Sequence, residues 1–202
     1  MSTLQDPVEK TVAGRPGGVW ILDLGRAVPA LGAGLAITFM QDHSATVGSL
    51  VFGIFALASG VVLAAFGGRA LAPGATRTVI IIQGIVTAML GGAGITFGTG
   101  AGVTPGGLSE FLLLLTVFAA ITGFLELYAG LRSRDSAIGR DWLTVGGFTA
   151  IAALVFLIIP PDPILATGLF GAYAVLVGVY HVIAGLSLRW AQTSTKKGEA
   201  TA

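Results

Sequence analysis

Cysteine is absent from this chain of 202 residues, and charge is scarce: Lys and Arg number 11, Asp and Glu 10, together 10% of the chain. Without cysteine there is no disulfide, no thiolate metal site and no thiol nucleophile. An average soluble domain is about a quarter charged. So few charges cannot cover the water-facing surface of a protein of this size, whereas lipid needs no such cover. A formal net charge of +1 leaves no electrostatic footprint for nucleic acid. The two histidines, His43 and His181, fall in different layers and do not make a metal site. The glycine runs around Gly91–Gly102 lack the Gly-Lys-Ser/Thr ending of a phosphate loop. No Gly-x-Ser-x-Gly elbow occurs, and no histidine–carboxylate–nucleophile set stands at matched spacings. The expectation is therefore no catalytic residue, no resident metal or cofactor, and no enzyme.

What is present is apolar: 54% of residues are hydrophobic and 31 are glycine. A helix needs roughly 20 apolar residues to cross the hydrocarbon. Six stretches qualify: Val19–Met40, Ala45–Gly67, Thr78–Phe97, Leu108–Leu131, Trp142–Ile159 and Ile164–Leu188. None alternates apolar with polar as barrel strands do. The predicted fold is an all-α integral membrane protein. A polar tail over 1–18 precedes one membrane domain over 19–190, and a second tail covers 191–202. No secretory signal precedes the first span, so that span is expected to be an uncleaved anchor.

Basic residues predict the orientation. Lys10, Arg15, Arg189, Lys196 and Lys197 lie in the tails, Arg69 and Arg77 in the second connection, and Arg132, Arg134 and Arg140 in the fourth. The first, third and fifth connections hold none; their charged groups are Asp42, Glu110 and Asp162. All but Arg26 thus share one side, expected to be the cytoplasm, with both termini there. Trp20, Trp142 and Trp190 fall at that boundary and are expected to be interfacial anchors.

The chain also reads as one helical hairpin written three times, over about 19–70, 76–134 and 140–190. Gly60, Gly123 and Gly178 align. Seven residues later stand Gly67, Gly130 and Gly185, and seven earlier Gly53, Thr116 and Gly171. Phe55, Phe118 and Tyr173 precede the aligned glycines by five. Small residues at this spacing form a stripe that lets helices approach closely in lipid. Each repeat holds two spans, so the expected arrangement is three hairpins around a pseudo-threefold axis along the membrane normal.

Ionisable groups inside spans are expensive and are functional candidates. They are Asp23 and Arg26 in span one, Glu126 in span four and His181 in span six. Asp23 and Arg26 stand three residues apart and can pair on one helix face. Glu126 and His181 each follow the aligned glycine by three, where the first repeat has Leu63, and so share the stripe's inward face. At about 1.5 Å per residue, Glu126 lies roughly 9 Å from Arg132 and His181 roughly 12 Å from Arg189. Pro29 cannot donate to the Gly25 carbonyl, leaving an acceptor free nearby. A small intramembrane cluster of Asp23, Arg26, Glu126 and His181 is predicted. It is expected to serve as a neutralised packing network, a proton-responsive site, or a lipid- or ligand-contacting site.

The segment Gly123-Phe-Leu-Glu-Leu-Tyr-Ala-Gly-Leu-Arg132 resembles the Gly-x-x-Glu-hydrophobic-x-x-Ala-x-Arg segment of HdeD-like membrane proteins. Arg140-Asp-Trp-Leu, Gly146-Gly147, Leu169 to Tyr173, Gly178, Gly185 and Arg189 are similar to the next hairpin of that family. Leu63 and His181 depart from its pattern. The resemblance implies a bacterial inner-membrane protein of three two-helix repeats, linked to acid resistance and stress and not known for catalysis. Two functions follow as expectations. The first is a scaffold or accessory subunit working through helix faces, with lipid and either a homo-oligomer or a larger membrane complex as partners. The second is a proton-responsive channel or small-solute transporter using the buried cluster.

Overall fold

The computed structural model describes residues 19–101 and 107–199, with side chains described as far as Trp190. The tail over 1–18 and residues 102–106 and 200–202 lie outside the described residues. Six helices follow one another: α1 Val19–Phe39, α2 Ala45–Ala70, α3 Ala75–Thr99, α4 Leu108–Arg132, α5 Ala137–Ile158 and α6 Pro163–Glu199. All six are long and apolar enough to cross a membrane, and the described residues contain no strand. This is a multi-pass membrane protein. Its outer surface carries Val28, Phe124, Leu157 and Ile158, each more than two-thirds exposed. Lipid accepts such side chains where water would not.

Local chemistry sets the helix ends. Asp42 Oδ1 accepts from the Ser44 amide at 2.8 Å, and Ser44 Oγ caps α2 by accepting from Val47 N at 3.4 Å. Ser136 Oγ caps α5 through Gly139 N at 3.0 Å, and Asp162 Oδ1 accepts from Leu165 N at 2.7 Å in α6. These bonds satisfy amides that the first helical turn leaves without partners. Gly100 ends α3 with φ of 68°, a left-handed conformation that glycine adopts without strain. α6 is the exception to the expected boundaries. It continues without a break through the polar stretch from Gln192 to Glu199, which contains neither proline nor a left-handed glycine to stop it.

The close packing runs one helix out of step with the hairpins read from the repeat. The tightest pairs are α2 with α3, α4 with α5, and α6 with α1, joining the two ends of the chain. Glycine positions show why. A Cβ on Gly53 would meet Ile95 N at 2.5 Å, and one on Gly67 would meet Ile80 Cγ2 at 2.9 Å, both in α3. Gly60 lies against the Ala88 main chain. On Gly123 a Cβ would meet Ala150 N at 2.8 Å, and on Gly130 the Leu143 N at 2.8 Å, both in α5. Gly171, Gly178 and Gly185 face Ile37, Leu31 and Leu24 of α1 at 2.7, 2.8 and 2.9 Å. Each stripe is therefore filled by an antiparallel neighbour within the chain. Thr116 stands with Phe156 and Leu157 at a shallow recess between α4 and α5.

The even-numbered helices meet through aromatic rings. Phe52 and Phe118 lie 5.3 Å apart, Phe52 and Phe170 5.6 Å, Phe55 and Phe118 5.7 Å, and Phe118 and Tyr173 6.4 Å between centroids. Most of these contacts are edge-on, as ring quadrupoles favour. Phe111, Leu115 and Ala174 complete this larger core. A second cluster near the arginine-bearing ends joins Leu22, Leu63, Leu71, Ile80, Ala129 and Trp142.

Candidate functional site

Between the two apolar clusters lies a polar layer. Arg26 Nη2 of α1 donates to Glu126 Oε1 of α4 in an ion pair with side chains 11% and 1% exposed. Gln83 Nε2 of α3 donates to the same carboxylate oxygen at 2.9 Å. Beside them His181 Nδ1 of α6 stands 3.5 Å from Asp23 Oδ1 of α1, with side chains 2% and 8% exposed. The layer thus joins α1, α3, α4 and α6.

The positions follow from the packing. Glu126 stands three residues after Gly123 and faces α5 at its own turn, where Gly146 leaves room: a Cβ there would meet Glu126 Cβ at 3.0 Å. Leu63, at the equivalent place in α2, is buried to 1% exposure against Gly84. An apolar side chain and a carboxylate thus fill the same slot in two helices.

The structure brings all four expected residues into one layer, with different partners. Asp23 and Arg26 do not bond to each other. Asp23 turns to His181 on α6, the helix that α1 packs against most closely, whereas Arg26 reaches across the bundle to Glu126 on α4, a helix α1 does not pack against. Gln83 joins the layer without being marked by charge, since an amide carries none. Its signal was available: it is the one glutamine within any of the six spans.

A cavity of about 10 Å³ adjoins the layer, lined among others by Arg26, Ser59, Gln83, Thr87 and His181. That is about the room one water needs. Ser59 Oγ, Thr87 Oγ1, Gln83 Oε1, Glu126 Oε2 and His181 Nε2 are buried without a hydrogen-bond partner. Buried polar atoms are rarely left so, and a water with several such partners would satisfy them. Ser59 and Thr87 face the cavity. Thr38 and Thr96 do bond their own helix carbonyls, Gly34 O and Ala93 O, both at 2.8 Å.

Two more polar links flank the layer. Toward the arginine-bearing end, Tyr180 Oη donates to Asp141 Oδ1 at 3.1 Å, and both residues are half-buried. Toward the aromatic core, Tyr173 Oη and Thr149 Oγ1 share a bond of 3.1 Å.

The tryptophans divide. Trp190 is 69% exposed, and Trp20 is half-exposed with the Arg189 guanidinium 5.3 Å above its ring. Trp142 does not act as an interfacial anchor. It is 2% exposed and packs into the second cluster, because α4 and the neighbouring helices close over that face of α5.

Comparison with protein-family models, curated proteins and solved structures returns no match.

The site therefore speaks through its chemistry alone. Asp23 and Glu126 bring two negative charges and Arg26 one positive, so the layer carries one net negative charge while His181 is neutral. One added proton brings it to neutrality. Among the described residues no group of His, Asp or Glu could hold a metal ion. The chemistry this arrangement can perform is holding and releasing a proton while binding four helices together.

Proposed function

We propose that this chain is a non-enzymatic bacterial inner-membrane protein that responds to acid by changing the protonation of its buried layer. The observation that carries this is the pair of contacts Asp23–His181 and Arg26–Glu126 beside a cavity rimmed by unpartnered polar atoms. A purely apolar interior would pack as well at lower cost, since burying ions is expensive even when they are paired. Histidine is the side chain whose ordinary range straddles mildly acid pH. Protonation turns the Asp23–His181 contact into a full ion pair, tying α6 to α1 where the two chain ends meet.

The polar groups around His181 are Asp23 and Arg26 from α1, Gln83 from α3, Glu126 from α4, Asp141 from α5 and Tyr173 from its own helix. α2 offers only the hydroxyl of Ser59. The similarity of Gly123–Arg132 to HdeD-like proteins supports a link to acid stress. The one-sided lysine and arginine distribution supports cytoplasmic termini.

The test is the pH profile of unfolding in mild detergent for the native chain and for His181→Gln. The native midpoint is expected to move between about pH 5 and 8, and the variant's to stay level over that window. Superimposable profiles would sink the proposal.

A second reading rests on a different observation. An apolar groove of about 470 Å³ opens to the lipid between α1 and α2, floored by small residues such as Gly25, Gly32, Ala36 and Ala58. Its shape suits an accessory subunit that seats a partner helix. The intramolecular filling of the eight stripe glycines removes the other support for that role. Weighing the intact particle after mild extraction decides: a reproducible foreign subunit favours the accessory role.

A further inference from the structure

The polar layer is not placed symmetrically within the bundle. On one side, Asp141 and Tyr180 continue it toward the arginine-bearing helix ends. Asp141 is four residues from the start of α5 and Asp23 four from the start of α1, about 6 Å of helix in each case. Both Asp141 and Tyr180 are half-buried, and Tyr180 is chain neighbour to His181. On the other side, Phe52, Phe55, Phe118 and Phe170 stack across the bundle with centroids 5.3 to 5.7 Å apart. Past these rings the buried polar side chains described are the hydroxyls of Ser49 and Thr167, which carry no charge.

We infer that the cavity beside His181 is a single-water proton site loaded from the arginine-bearing face alone, with Asp141 and Tyr180 as its entrance and the phenylalanine stack as its seal. This rests on the reading of the layer as a protonation centre and adds the side of the membrane it answers to. Asp141 lies within electrostatic range of both Asp23 and His181, so a proton arriving there reaches the imidazole of His181 by exchange through water, with the Tyr180 hydroxyl holding the Asp141 carboxylate in place. There it forms an imidazolium opposite the Asp23 carboxylate. Release follows the same route in reverse. Ser59, Thr87 and Gln83 Oε1 offer the water the two to four partners that a buried water takes. The ring stack offers a proton no acceptor, so the path stops there.

The chain carries its own control. It has two histidines, and the other, His43, lies in the α1–α2 connection at the opposite end of the helices. Protein labelled with ¹⁵N-histidine, inserted unidirectionally into sealed liposomes, gives two imidazole signals by solid-state NMR, and His43→Gln assigns them. In equal buffers on both sides, His181 should titrate. A His181 signal unchanged from about pH 5 to 8 would refute the protonation centre and this inference with it. Under a pH difference across the liposome, His43 should follow its own side and His181 the arginine-bearing side. If His181 titrates in equal buffers but follows the His43 side, or responds to both, the one-sided entrance is wrong while the protonation centre stands.

Discussion

Replacing Glu126 by leucine gives α4 the residue that α2 carries three positions after Gly60, where Leu63 is buried, so a helix face of this kind accepts the shape. The electrostatic consequence is severe. The Arg26 guanidinium, with its side chain 11% exposed, loses its counter-charge, and Gln83 Nε2 loses its acceptor. Breaking a buried pair from one side costs about 3–5 kcal/mol, because the remaining charge is left uncompensated. Arg26→Leu strands Glu126 with one amide donor and should cost a similar amount. Removing both leaves a single unpaired amide at Gln83, worth about 1–3 kcal/mol. The double variant should therefore be more stable than either single one, with a coupling of at least about 3 kcal/mol between the two sites. Reversible unfolding in mixed detergent micelles, followed by circular dichroism across the four proteins, measures that cycle. If the single variants are too unstable, Glu126→Gln keeps the shape and still removes the charge. Costs that simply add, within about 0.5 kcal/mol, would refute the claim that these two charges hold each other.

Gly123→Ala places a methyl 2.8 Å from the Ala150 amide nitrogen, where main chain cannot yield; a loss of about 1–3 kcal/mol is expected in the same assay. Gly147→Ala meets nothing within 4 Å and should cost nothing or gain up to about 1 kcal/mol from helix propensity. Trp142→Ala should cost about 3–5 kcal/mol, as for other large core side chains. Aqueous quenchers of tryptophan fluorescence should correspondingly leave a protected component that Trp142→Ala removes. Gln83→Leu removes one donor from Glu126 and should cost about 1–3 kcal/mol; no loss would place the amide outside the network.

The spans were legible because lipid imposes one rule on every residue of a crossing segment: the backbone must satisfy itself, and side chains must tolerate hydrocarbon. That rule acts along the chain, so it can be read along the chain. Lipid crossing says nothing about where a helix stops once its polar end is in water, which is how α6 came to run on to Glu199. The four ionisable members of the layer were legible for a related reason, since a charge within an apolar run is conspicuous. Gln83 was harder, being polar without charge, and the Tyr180–Asp141 link harder still. Asp141 looks like an ordinary residue near a helix start, and Tyr180 like any aromatic of an apolar span, until α5 and α6 are set side by side.

The glycine stripes show where such legibility ends. Their seven-residue spacing marks a face of each even-numbered helix that something must approach closely. It does not say what approaches. The stripes of α2 and α4 are filled by the next helix in the chain, and that of α6 by the first. A pairing across the ends of the chain leaves no trace in local spacing. The same holds for Asp23 and Arg26, whose three-residue separation allows a bond on one helix face, while their partners Glu126 and His181 lie about a hundred residues or more away. From its residues alone, the chain determined six crossings, the faces that turn inward and the groups too costly to leave unpaired. Which helix meets each face, and which charge answers which, is a matter of side-chain reach and available volume between helices, and those quantities exist only once the bundle has closed.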